Sequence, residues 1–133
     1  MHTLAKWIVA AVMALALLGM AQAQGLDSPQ RKELKRTDLP GTNMEVILSV
    51  AEYKPGDFIA RHIHHGVEAF YVLQGATIEL PGGKQIKLAT GTGSENLREV
   101  PHAGFKVVGD TSLKLVTVHV VDKGKPLYDA PPK

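Results

Sequence analysis

Between residues 44 and 121 the chain is a succession of short β-rich runs, each cut off by turn residues before it reaches helical length. Residues 44–53 are apolar and β-branched and stop at Lys54-Pro55-Gly56-Asp57. Residues 58–64 read as extended and break at His65-Gly66; residues 68–73 break at Gln74-Gly75. Residues 76–80 and 85–88 flank Pro81-Gly82-Gly83-Lys84, a hairpin signal. Residues 89–94 carry Gly91 and Gly93 and read as a loop, and residues 100–108 read as extended with Gly104 marking a bulge. Residues 113–121 form the strongest strand pattern of all. Strands of this length at this spacing predict an all-β fold, a sandwich or barrel.

A chain of 133 residues has room for one domain. Its first 23 residues are expected to be a signal peptide. His2 and Lys6 precede an apolar run from Trp7 to Met20, and Ala21-Gln22-Ala23 offers a small-residue cleavage site. The run is too short to span a bilayer comfortably, so the expectation is a periplasmic or secreted protein with no membrane contact after processing. Residues 24–43 are polar, carry Pro29, Pro40 and Gly41, and read as a loose N-terminal arm. The domain proper is placed at 44–121, and residues 122–133, with Pro126, Pro131 and Pro132, read as an irregular tail.

Composition narrows the chemistry. There is no cysteine, which excludes thiolate metal sites, cysteine nucleophiles and redox pairs. The formal net charge is only +2, and the one basic cluster, Arg31-Lys32-Glu33-Leu34-Lys35-Arg36, reads as a solvated stretch. No nucleic-acid footprint is present, since that needs clustered basic residues with stacking aromatics.

The segment His62-Ile63-His64-His65-Gly66-Val67-Glu68 stands out. On an extended strand His62 and His64 share one face, together with Phe58 and Ala60. Glu68 opens the next strand on the face of Phe70 and Val72. Two imidazoles and a carboxylate aimed at one point form a first-row transition-metal site, suited to Fe, Mn, Ni, Cu or Zn. Pro101-His102 offers a fourth ligand. His65 has the opposite parity and belongs to the rim.

Gly56-x5-His62-x-His64-x3-Glu68-x6-Gly75 resembles the first motif of the cupin superfamily at every fixed position. The second cupin motif, G-x5-P-x-G-x2-H-x3-N, registers on His102 with Gly91 in place. Leu97, Glu99 and Lys106 stand where Pro, Gly and Asn are expected. The resemblance covers about residues 44 to 121. It implies a small jelly-roll barrel, metal ligands His62, His64, Glu68 and His102, an open coordination position, a small-molecule substrate and a homodimer. Oxygen-dependent cleavage or isomerisation is the chemistry it implies; a non-catalytic module that binds a metal or small ligand, or a subunit serving mainly assembly, is the alternative.

His119 is the remaining candidate. In residues 113–121, if Lys114 faces solvent, then Leu113, Leu115, Thr117 and His119 point inward. His119 then sits beside the metal ligands as an ordinary hydrogen-bonded histidine, a supporting partner or a catalytic proton shuttle. Phe70, Val72, Ile78 and Phe105 are candidates for an apolar pocket wall. Arg98 is a candidate carboxylate binder, whereas Arg61 lies on the wrong strand face for that role.

Overall fold

The computed structural model describes residues 28–133, so the expected signal segment lies outside the described residues. Nine strands follow in order: β1 (Arg31–Leu39), β2 (Met44–Tyr53), β3 (Phe58–Ile59), β4 (Gly66–Gln74), β5 (Ala76–Glu79), β6 (Gln85–Leu88), β7 (Gly93–Asn96), β8 (Phe105–Val108) and β9 (Leu113–Asp122). They form two antiparallel sheets, β1-β2-β9-β4-β7 and β3-β8-β5-β6. The class is all-β, as the turn rhythm predicts.

The core lies between the sheets. Tyr53, Ile59, Val72, Ile78, Val107 and Leu113 form its centre. β2 alternates strictly, with every odd-numbered residue from Glu45 to Tyr53 buried, and β9 buries Leu113, Thr117, His119 and Val121. The expected β5–β6 hairpin is present, with Ile78 opposite Ile86 across the turn.

Several expectations need correction. Residues 31–39, expected within a loose arm, form β1 and pair with β2 along their whole length, with a register shift between Glu33 and Lys35. The misreading has a physical source. β1 is an edge strand, and charges on an edge strand keep other chains from pairing with it, so it carries no alternating pattern to read. Arg36 ties it down by bonding both Glu33 and Glu45. The end of the expected loop 89–94 enters β7, again a polar edge strand, held by β4 alone.

The stretch 58–64 is extended only at Phe58–Ile59. Phe58 is 61% exposed while Ile59, His62, Ile63 and His64 are buried, so the predicted face shared by Phe58 and the histidines does not exist. Strand alternation is lost at Ala60 and Arg61 and resumes in a bridge between His62 and His102. Residues 100–104 are likewise irregular, and Gly104 turns there with φ +77°. Finally, the tail docks: Ile63 and Asp129 exchange backbone hydrogen bonds of 3.0 and 3.1 Å. One glycine is demanded by close approach rather than by a turn. A Cβ on Gly66 would lie 2.0 Å from the Val120 carbonyl oxygen, which lets β4 begin hard against β9.

Candidate metal centre

Glu68 is positioned from both sides by its own sheet. On β4 it lies opposite His119 of β9 and opposite Asn96 of β7. The Asn96 side-chain amide donates to Glu68 Oε2 at 2.7 Å, and His119 Nε2 lies 3.4 Å from Oε1. His62 and His64 come from the irregular segment before β4, and His102 from the loop before β8. Their mutual placement is fixed by the paired backbone hydrogen bonds between His62 and His102, 3.1 and 3.0 Å.

The three histidines are oriented alike. His62 Nδ1 lies 2.7 Å from the Ala60 carbonyl oxygen, His102 Nδ1 2.8 Å from that of Val100, and His64 Nδ1 2.5 Å from that of Leu127. A carbonyl only accepts, so each Nδ1 carries the proton and donates it. Each neutral ring is left with a lone pair on Nε2, and the Nε2 atoms converge. Those of His62 and His64 are 3.3 Å apart; His64 Nε2 and His102 Nε2 lie 3.3 and 3.7 Å from Glu68 Oε2.

Acceptors facing one another in a buried space require a cation between them. One added proton on His64 Nε2 serves a single neighbour, and His102 Nε2 is buried with no hydrogen-bond partner at all. A metal ion serves every acceptor at once. Nitrogen and oxygen ligands about 2.0–2.2 Å from a first-row ion stand about 3.0–3.6 Å apart at right-angled to tetrahedral geometry, close to the spacings seen. Two overlapping groups have donor atoms within 4.8 Å of one another: His62 with His64 and His102, and His64 with Glu68 and His119. The residues present therefore fit a divalent metal.

The electrostatics agree. Burial pushes the His62 and His119 imidazoles down to about 4, and lowers His102 as well, which keeps these rings neutral and able to act as ligands or acceptors. Burial acts on Glu68 in the opposite direction, raising it. Hydrogen bonding to the carboxylate, from a proton shared with His64 Nε2 in the metal-free chain and from the Asn96 amide, outweighs that and brings it down to about 2. The carboxylate is thus held ionised at neutral pH.

His119 stands apart from the other three. It is fully buried on the inward face of β9, as its parity predicts, but neither ring nitrogen has a hydrogen-bond partner and no carbonyl fixes its tautomer. His65 lies outside the cluster, on the rim, with Nε2 2.9 Å from Asp129 Oδ2. Arg98 is occupied by Asp122 and the His65 carbonyl and does not line the site. Arg61 is exposed.

Beside the cluster lies a cavity of about 160 Å³, with His62, Glu68 and His102 at one end and Phe70, Ile78 and Phe105 in its wall. Val72, expected in that wall, sits instead in the solid core with no exposed surface. Three contributors carry little or no signal as site residues. Asn96 belongs to a polar edge strand with no period. The Leu127 carbonyl is invisible in any sequence. Tyr128 packs on His62 and His64 at ring-centroid distances of 4.3 and 5.0 Å. A lone aromatic in a proline-rich tail was its one available sign.

The family model for the cupin domain matches residues 49–119, more than half of the chain. The chain belongs to the cupin family. A double-stranded β-helix protein from Klebsiella pneumoniae is similar in fold, with a TM-score of 0.51 and 22% identity over 84% of this chain and 95% of that one. The polyketide cyclase RemF from Streptomyces resistomycificus gives a TM-score of 0.49 at 25% identity, covering 71% of this chain and 72% of that one. An acetylacetone dioxygenase from Acinetobacter johnsonii gives 0.46 at 14%, covering 68% of this chain and 58% of that one. Among curated proteins nothing matches.

Proposed function

We propose that this protein is an exported metal-binding cupin that acts on a small organic molecule, with His62, His64, Glu68 and His102 holding a divalent Fe, Mn, Ni, Cu or Zn ion. One observation carries the reading: the buried imidazoles of His62 and His64 and the partly buried one of His102 donate Nδ1–H to backbone carbonyls and turn their Nε2 lone pairs toward one carboxylate. Those three anchors single out His62, His64 and His102 over His119 as ligands. When bound, the ion supplies Lewis acidity or an oxygen-binding position, the basis for dioxygenase-like or isomerase-like chemistry.

The remaining residues have supporting roles in this reading. Asn96 holds Glu68 Oε2, and His119 faces Oε1 across the β4–β9 pair, so the carboxylate cannot rotate freely. His119 also stands within reach to move a proton to or from that oxygen. The cavity beside His62 and His102 gives a substrate room next to the ion. Export is supported by the charged, apolar and small-residue order of residues 1–23. Pairing of two copies is supported by exposed Val67, Tyr71 and Leu73 on the outer face of β4.

The test is to produce the full chain by export and measure its metal content, then to follow oxygen uptake and product formation with small phenols, thiols and keto acids. The reading expects close to one transition-metal ion per chain and turnover that disappears on chelation. Absence of any bound transition metal would contradict it. A metal with no turnover across the panel would move the conclusion to a binding module.

A further inference from the structure

The cavity's lining is one-sided in its chemistry. Its titratable groups are His62, Glu68 and His102 of the cluster; apart from Asn96 and two tyrosines the rest is apolar, with Phe70, Ile78, Phe105 and Leu115 in the wall. No lysine or arginine lines it among the described residues. Arg61 acts on His102, and Arg31 on Tyr53 and His119, from outside the lining. The other polar side chains that reach it are already engaged. The Tyr53 hydroxyl is close to the side chains of Ser28 and Tyr128, and the Asn96 amide is spent on Glu68. A guest therefore finds polar recognition at one end only, and a charge on its body would be buried without a partner.

Size adds a second limit. A dry apolar cavity of about 150 Å³ holds a benzene-sized molecule, and this one measures about 160 Å³. Phe70, Leu88 and Phe105 in the wall are only half-buried, so a guest has a way in.

We propose that this cavity takes a single-ring, uncharged molecule bearing one hydroxyl or keto oxygen, with the oxygen at the His62–Glu68–His102 end and the ring among Phe70, Ile78, Phe105 and Leu115. Placement of the oxygen rests on the metal reading above; acceptance of the apolar ring does not. The specificity lies in what the body must lack. 4-Hydroxybenzoate offers the same oxygen as phenol, but in either orientation it carries a second polar group into the apolar end, where nothing receives it.

The test is calorimetric titration of the full chain, chelated and zinc-loaded, with toluene, phenol and 4-hydroxybenzoate. Toluene binding that zinc leaves unchanged to within about twofold is expected, with phenol tightened by about tenfold or more on zinc loading. 4-Hydroxybenzoate is expected to bind at least about tenfold more weakly than phenol in both forms. Leu115→Phe, which fills the cavity, should weaken phenol by about tenfold or more, and Phe105→Ala, which enlarges it, should admit 2-naphthol. Equal binding of phenol and 4-hydroxybenzoate overturns the proposal, as does failure of every ring compound to bind. If zinc is not taken up while toluene still binds, the metal reading and the oxygen placement fall and the apolar pocket stands.

Discussion

Both faces of the β1-β2-β9-β4-β7 sheet depart from the usual polarity: a polar cluster lies inside beside the apolar core, and apolar side chains lie outside. The inner face buries Ser49, Glu68, Thr117 and His119, the first and last with no exposed surface. The outer face of the same strands shows Val67, Tyr71 and Leu73 to solvent, with Val116, Val118 and Val120 half-buried beside them. A solvated sheet ordinarily alternates apolar-in and polar-out. Here the difference teaches where partners belong. Buried acceptors need something inside the barrel to bind, and an apolar outer surface needs something outside to cover it. The metal centre answers the first requirement; for the second we propose a further copy of the chain.

Breaking the inner face should have the largest effect. Glu68→Ala removes the only carboxylate of the cluster and is expected to weaken zinc binding by roughly a thousandfold, beyond the 10–100-fold typical of supporting residues, as measured by competition with a chromophoric chelator. Next comes acid. In the metal-free chain His62 and His119 are held neutral, down to about 4 against an ordinary 6.5. Their stabilising contribution is present above 6.5 and is lost as pH falls toward 4, because the unfolded chain takes up protons that the folded one refuses. Denaturant unfolding across that window should show a loss on the order of several kcal/mol, up to about 3 for each ring. Flat stability there would mean the rings are not held neutral.

Asn96→Leu keeps all four ligands but frees Glu68 Oε2, and should cost roughly tenfold in zinc affinity by the same assay. On the outer face, Val118→Glu should turn a dimer into a monomer by light scattering while leaving the monomer's own stability within about 1 kcal/mol. A wild-type chain that is already monomeric would remove the second half of the comparison. The smallest effect is expected at the rim. Asp129→Asn loosens the His65 contact and should shift unfolding by less than about 1 kcal/mol, as exposed ion pairs do.

Much of this was legible before any coordinates, for reasons that differ by region. The barrel strands announce themselves through turn residues and period-two burial, as β2 and β9 illustrate. His62, His64 and Glu68 are close in sequence, so spacing alone brings them together, and His119 follows from parity on a regular strand. Parity failed where regularity did: after Ile59 the chain leaves the sheet, and Phe58 swings outward while the histidines stay inside. β1 and β7 were hidden because edge strands are selected for charge rather than for alternation. The Leu127 carbonyl and Tyr128 reach the cluster from the far end of the chain through a tail whose prolines mask its docking. Long-range closure of this kind leaves no local trace.

The central claim is that three backbone-anchored histidines and Glu68, rather than the group containing His119, hold one metal. Crystallography of the zinc-loaded full chain at the zinc absorption edge tests it most directly. The account predicts a single anomalous peak about 2.0–2.2 Å from Nε2 of His62, His64 and His102 and from a Glu68 oxygen, with His119 beyond bonding distance. A peak bonded to His119 and distant from His62 and His102, or no peak at the cluster in zinc-saturated crystals, would contradict it.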